Sequence, residues 1–175
     1  MRYSRAMKNI IALLGMVLLV GSLSSCNLVA LFKCTPGYVR SDFSALQTQV
    51  RQNKTLWIGK GIKSYEYTFQ AQNFSSPIPI RVTVKAGVVT QAKSISDPNR
   101  PSDPGYIPTD LQSLTIDARF PELERSVTSP GDCDTAKLEF DATYGFPKSA
   151  YFTDQTQNLA DGFGGFTTFD FTVTP

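Results

Sequence analysis

Three cysteines, a few short carboxylate pairs and one lysine–serine cluster are the residues of this 175-residue chain that could do chemistry; histidine is absent. The missing imidazole removes the commonest general base and the commonest metal ligand near neutral pH. A hydrolase would then need a serine activated by lysine, or two carboxylates in different environments. Lys60, Lys63 and Ser64 lie together, but where a helix should end, and they read as a solvated cap. Glu122 with Glu124 falls in an exposed helical turn, and Glu139 with Asp141 on the outward side of a strand. Asp132 and Asp134 flank Cys133, and Asp154 and Asp161 share a polar loop. Either pair could contribute to a calcium site, which takes about six to eight oxygens, and each reads more simply as a turn. Asp161-Gly162 and Gly164-Gly165 permit tight turns, with no phosphate-loop spacing and no helix to follow. These patterns assign no catalytic residue, no metal and no cofactor.

Cys26 is different, because its surroundings specify a reaction. Arg2, Arg5 and Lys8 form a basic flank, Ile10–Gly21 is an apolar run, and Leu23-Ser24-Ser25-Cys26 closes it. That order is the layout of a secretory signal, and the run is too short for a membrane-spanning helix of about 20 residues. The tetrapeptide resembles the bacterial lipobox. Its small residues let a peptidase reach the backbone, and the thiol is the nucleophile that can carry a thioether-linked diacylglycerol. The expectation is a signal peptide over 1–25, a lipidated Cys26 opening a tether over 26–40, and one domain over 41–175. Asn27 follows the lipidated position, so in a diderm bacterium the absence of Asp there favours the periplasmic side of the outer membrane. The membrane itself is the partner expected through Cys26, together with another protein of the cell envelope.

The signal holds three of the 17 basic residues and none of the acidic ones, leaving 14 basic against 15 acidic in the mature chain. A near-neutral mature protein argues against nucleic acid, whose binders need a basic face. Once Cys26 is assigned to lipid, Cys34 and Cys133 remain as an even pair in an oxidising compartment, and a bridge between them is expected.

These residues must be positioned by the following elements. Ser41 can cap a helix, with Asp42 in its first turn. Phe43, Leu46, Val50 and Trp57 then form one apolar stripe over about 42–58, with Gly59 and Gly61 as the stop. Gln47, Gln49, Arg51, Gln52 and Lys54 should face water. Trp57 could serve as a ligand platform, but the stripe makes it core. Tyr65, Tyr67, Phe69 and Ala71 alternate with Glu66, Thr68 and Gln70, and Ile78, Ile80, Val82 and Val84 with Arg81, Thr83 and Lys85. Asn73–Pro77 reads as a turn, Ala86-Gly87 as a hairpin turn, and Val88–Ile95 as the returning strand.

The proline-rich stretch Ser96–Asp110 reads as a loop. Thr115 should cap a second helix, Ile116–Val127, with Phe120, Leu123 and Val127 inward and Pro121 kinking it or marking its start. Strands are expected over Ala136–Ala142 and Lys148–Thr153, joined by a turn at Tyr144-Gly145-Phe146-Pro147. A last strand should place Phe169, Phe171 and Val173 opposite Thr168, Asp170 and Thr172. The predicted class is α+β: an antiparallel sheet of about six strands with two helices on one face, in the order α-β-β-β-α-β-β-β.

Several of these stretches carry a resemblance. Trp57, Ser64-Tyr65-Glu66-Tyr67-Thr68 and Arg81-Val82-Thr83-Val84-Lys85-Ala86-Gly87-Val88-Val89 come first. The helix around Phe120, Leu138–Ala142 with Tyr144-Gly145-Phe146-Pro147, and Asp161-Gly162 follow. In this order and spacing, over roughly Asn53 to Pro175, they resemble a family catalogued as domain of unknown function six-one-seven-four, common in secreted and lipidated bacterial proteins. The resemblance implies no activity, cofactor or catalytic residue. Many similar sequences carry cysteines after the first strand and near the last. Here those regions read Gln72-Asn73-Phe74 and Gly164-Gly165, which leaves Cys34 and Cys133 as an alternative staple.

Three functions of different class are compatible with this reading. The first is a non-enzymatic envelope lipoprotein that binds another protein or supports assembly. Its contact would be marked by Phe74, Tyr106, Tyr144 and Phe146, aromatics in turns. The second is a small-ligand or lipid-binding module, which needs a concave apolar pocket between helices and sheet; Tyr65, Tyr67, Phe69, Phe152, Phe166, Phe169 and Phe171 would line it if they were not core. The third is a hydrolase.

Overall fold

An apolar stripe winding once around every 3.6 residues sets the first element, α1 (Phe43–Lys60), whose Phe43, Val50 and Trp57 are buried. The computed structural model describes residues 34–72, 78–95, 107–157 and 162–175. Cys26, Phe74, Tyr106 and Asp161 lie outside the described residues. The cap of α1 is Asp42, not Ser41: the Asp42 carboxylate accepts the Ala45 N–H, and Gly61, at φ 63°, closes the other end. Ser41 has another task, described below.

Six strands follow: β1 (Tyr65–Gln72), β2 (Ile80–Lys85), β3 (Val88–Ser94), then α2 (Ile116–Thr128), β4 (Asp134–Phe140), β5 (Pro147–Asp154) and β6 (Phe163–Val173). They form one antiparallel sheet in the order β3-β2-β1-β6-β5-β4. The order of elements matches the α+β expectation. A two-residue turn joins β2 to β3, with both Ala86 (φ 49°) and Gly87 (φ 78°) in the left-handed region that matches the twist of a hairpin. Thr115 caps α2 by accepting the Ala118 N–H. Pro121 lies inside this helix, five residues past its start, so it does not mark the beginning.

Both helices cover one face of the sheet, and the space between is filled by Trp57, Tyr65, Tyr67, Phe120, Ile116 and their neighbours, all but fully buried. Phe171 is the meeting point. Its ring stacks on Phe146 at 4.4 Å and lies within 6.0 Å of Trp57, Tyr65 and Tyr144. Gln47 and Lys54 do not point simply to water. Gln47 donates to the Val127 carbonyl, and Lys54 pairs with Glu124 at 2.9 Å, so both tie α1 to α2.

The two tyrosines of β1 also fasten the start of α2. Tyr65 Oη accepts the Ile116 N–H, and Tyr67 Oη donates to the Leu114 carbonyl. Burial raises both phenols well above the ordinary tyrosine range, Tyr67 despite the opposing charge of Arg119. Because the folded values lie above the unfolded one, their contribution is complete below pH 10 and is lost as pH rises beyond it. Each buried tyrosine should remove about 1.4 kcal/mol per pH unit there. Denaturant unfolding at pH 9 to 12 is expected to show this slope, with Tyr67→Phe reducing it by about one proton.

The last strand departs from strict alternation. Thr68 lies opposite Phe169 and Glu66 opposite Thr172, so Asp170, at φ 52°, is an extra residue in a β-bulge. Before the bulge the inward residues are Phe166 and Thr168; after it, Phe171. Phe169 was expected inward and instead stands on the opposite face, 40% exposed.

Phe146 is a second correction. It was expected exposed in a turn, yet it is 4% exposed and part of the core, and Tyr144 is half-buried beside it. The cause is Gly145, at φ 79°: a Cβ there would lie 2.5 Å from the Asn53 carbonyl oxygen and 3.1 Å from the Trp57 nitrogen. Only a residue without a side chain lets the turn press onto the α1 backbone and fold its aromatics inward. Gly145→Ala is therefore expected to cost about 2–3 kcal/mol, read as a shift in the denaturant midpoint.

Residues 34–40, expected to belong to a tether, are bound to the domain. The structure joins Cys34 to Cys133, with Cα atoms 5.3 Å apart, and binds the residues after Cys34 along the outer side of β4. Thr35 N–H donates to the Gln155 carbonyl, and Tyr38 Oη reaches the carbonyls of Asp132 and Asp134. Ser41 Oγ both accepts the Ala136 N–H and donates to its carbonyl. These hydroxyls satisfy backbone groups that an edge strand would otherwise present to other chains.

Candidate functional site

With both helices on one side, the other face of the sheet is open, and its side chains follow from the register. Lys137 faces Tyr151, Glu139 faces Ser149, Ser149 faces Thr167, Thr167 faces Gln70, and Phe169 faces Thr68. One depression lies on this face, and a second opens beside it among residues of both faces. The first, of about 580 Å³, is bordered by Gln70, Gln72, Lys137, Glu139, Tyr151 and Phe169. Gly165 stands between Tyr151 and Gln72 in the strand register, which leaves that row without a middle side chain. The other, of about 280 Å³, is bordered by Asp141, Tyr144, Phe146 and Phe171, and it shares Lys148 and Phe169 with the first. Tyr151 is 38% exposed, so two aromatic rings stand in water within one charged surface.

The charges are paired, one pair along β4 and one between β1 and β2. Lys137 Nζ lies 2.9 Å from Glu139, and Arg81 bridges Glu66 at 3.2 Å while donating to the Asp170 carbonyl at the bulge. The Lys137 ammonium, bonded to Glu139, holds that carboxyl below its ordinary value, with smaller help from Ser149 and the Lys148 charge. A carboxylate so stabilised is a weaker base. It is poorly matched to activating Ser149, whose hydroxyl bonds to it. This arrangement suits recognition of a surface with both charges and apolar groups more than it suits proton transfer.

The other chemical candidates are held in local structure. Ser64 Oγ accepts the Ala86 N–H at the hairpin, beside exposed Lys60 and Lys63. Glu122 pairs with Arg119 and Glu124 with Lys54. Asp134 accepts the Gly131 N–H, Asp141 the N–H groups of Thr143 and Tyr144, and Asp154 the N–H and hydroxyl of Thr156. Among the described residues, no three acidic or cysteine side chains are grouped to hold a metal.

The chain matches the family described as Family of unknown function (DUF6174) over residues 49–173. The chain belongs to that family. The matched span runs from within α1 through the end of β6, so it takes in the whole sheet, both depressions and the Gly145 turn. Cys34 and the segment bound along β4 lie before the span of the DUF6174 match. No curated protein and no solved structure matches the chain.

Of the turn aromatics singled out from the sequence, Tyr144 and Phe146 border the smaller depression, Phe146 as part of the core. Tyr151 was not singled out, and Phe169 was read as core or as the lining of an inner pocket. The spacing of Phe166, Phe169 and Phe171, three and then two, was the available signal, because strict alternation cannot place all three on one side.

Proposed function

We propose that this DUF6174 protein is a lipid-anchored, non-enzymatic envelope protein whose open sheet face docks another envelope protein. The observation that carries the docking role is the pairing of exposed Tyr151 and Phe169 with Lys137, Glu139 and Lys148 on a face that neither helix covers. Aromatic anchors set among charged groups are the usual composition of a protein contact. The anchor rests on the basic flank, the apolar run and the Leu23-Ser24-Ser25-Cys26 tetrapeptide. A small-ligand module is less well supported, because the space between helices and sheet is occupied by Trp57, Tyr65, Tyr67 and Phe120.

The test is crosslinking in cells, followed by mass spectrometry of the membrane fraction. The protein is expected to sediment with membranes and to capture one reproducible envelope protein. Cys26→Ser should release it to the soluble fraction, still folded. Tyr151→Ser with Phe169→Ser should abolish the crosslink while changing stability by less than about 1 kcal/mol, as exposed positions do. Continued sedimentation of Cys26→Ser would sink the anchor, and an undiminished crosslink in the double variant would sink the docking face.

A further inference from the structure

We propose that the Cys34–Cys133 bridge is a latch that sets how far the domain stands from its anchor, and that a dithiol opens it without unfolding the domain. The distance rests on the lipidation of Cys26 proposed above; the latch rests on the described residues.

Between Cys34 and Phe43 the chain contributes nothing to the core. Cys34, Thr35, Tyr38 and Ser41 are half-buried, while Pro36, Gly37, Val39 and Arg40 are exposed, Val39 at 81%. Apart from the disulfide, the segment 34–40 is held, among the described residues, by an isolated β-bridge of Cys34 to Thr156 and by side-chain and backbone hydrogen bonds from Thr35 and Tyr38. Thr35 makes two with Gln155, and the Tyr38 hydroxyl makes one with each of the Asp132 and Asp134 carbonyls. Surface hydrogen bonds of this kind return little beyond what water already supplies. Fixing seven residues costs more in chain entropy than they return. The disulfide therefore keeps the segment ordered. Once it opens, the first firm attachment is Ser41, bonded to Ala136 and continuous with the helix anchored by Phe43.

The two sulfurs differ in access, since Cys133 is 3% exposed and Cys34 is half-buried. One thiolate of the dithiol attacks Cys34 Sγ, the bridge breaks, and Cys133 leaves as a thiolate. The second thiol of the reductant then displaces Cys34, forming a cyclic disulfide. Two electrons pass to the bridge, and the two cysteines take up the protons the dithiol loses. The thioether at Cys26 is inert to this exchange, so the protein stays on the membrane.

Chain length converts the latch into distance. Cys34 lies eight residues after Cys26, which allows at most about 29 Å; Ser41 lies fifteen residues after it, which allows about 54 Å. Closed, the latch keeps the docking face near the bilayer; open, it lets the same face reach about twice as far.

The experiment uses the lipidated full chain on a supported bilayer. Neutron reflectometry reads the height of the protein layer, and hydrogen exchange reads residues 34–40, before and after dithiothreitol. The layer is expected to extend outward by up to about 25 Å, and the amides of Thr35 and Tyr38 to exchange at least tenfold faster. The near-ultraviolet circular dichroism of the Trp57 cluster should stay unchanged. A Cys34→Ser, Cys133→Ser double variant should sit at the greater height without reductant. If the chain does not bind membranes, the anchor reading has failed and the distance with it. If it binds but reduction changes neither height nor exchange, the latch alone has failed. Loss of the circular dichroism signal would show that the bridge holds the fold itself, and would overturn the proposal.

Discussion

Trp57→Ala is expected to lower the unfolding free energy by about 3–5 kcal/mol, the largest effect of any single core truncation in this domain. Trp57 is 2% exposed and meets Tyr65 edge-on at 5.4 Å and Phe171 at 6.0 Å. Removing it opens space between α1 and the two central strands, β1 and β6. The neighbours cannot close that space easily. Tyr65 is fixed by its bond to Ile116, and Phe171 is stacked on Phe146 in a turn that Gly145 presses against α1. A well that cannot collapse keeps its cavity, and the loss adds to the transfer term. Equilibrium urea unfolding checks the value, and a loss below about 1 kcal/mol would mean that Trp57 does not bear on the core.

Paired replacement of Cys34 and Cys133 by serine should come next, at up to about 4–5 kcal/mol on the chain-entropy model. The bridge closes a loop spanning 99 positions, so its removal frees a large part of the denatured chain rather than breaking a packed contact. The two losses should differ in kind. Trp57→Ala changes the native spectrum of the aromatic cluster, whereas the serine pair leaves it intact and shifts only the midpoint. A serine pair that also flattened the near-ultraviolet signal would contradict the surface placement of residues 34–40.

What was legible in the sequence was what local spacing controls. The stripe of Phe43, Val50 and Trp57, the alternation of Tyr65, Tyr67 and Phe69, the Ala86-Gly87 turn and the Thr115 cap each depend on a few neighbouring residues. Each is found where spacing places it. The departures all have a distant partner. Phe169 faces outward because β6 gains a residue relative to β1, a property of the pair and not of either strand. Phe146 is buried because Gly145 meets a helix nearly ninety residues earlier. Ser41 gives up the cap to Asp42 because its hydroxyl is engaged by Ala136, and residues 34–40 lie against the domain because Cys34 is held by Cys133. The open face was legible in part: one-sided helices follow from the pattern of elements, but which aromatics stand on it depends on the bulge.

The division of labour across the sheet has an evolutionary consequence. Tyr151, Phe169, Lys137 and Lys148 share no packing duty with Trp57, Tyr65 or Phe120 on the opposite side. Substitutions on one side are therefore close to additive with those on the other. A lineage can re-address such a domain to a new target by changing a handful of solvent-side residues, while the buried side keeps the scaffold recognisable.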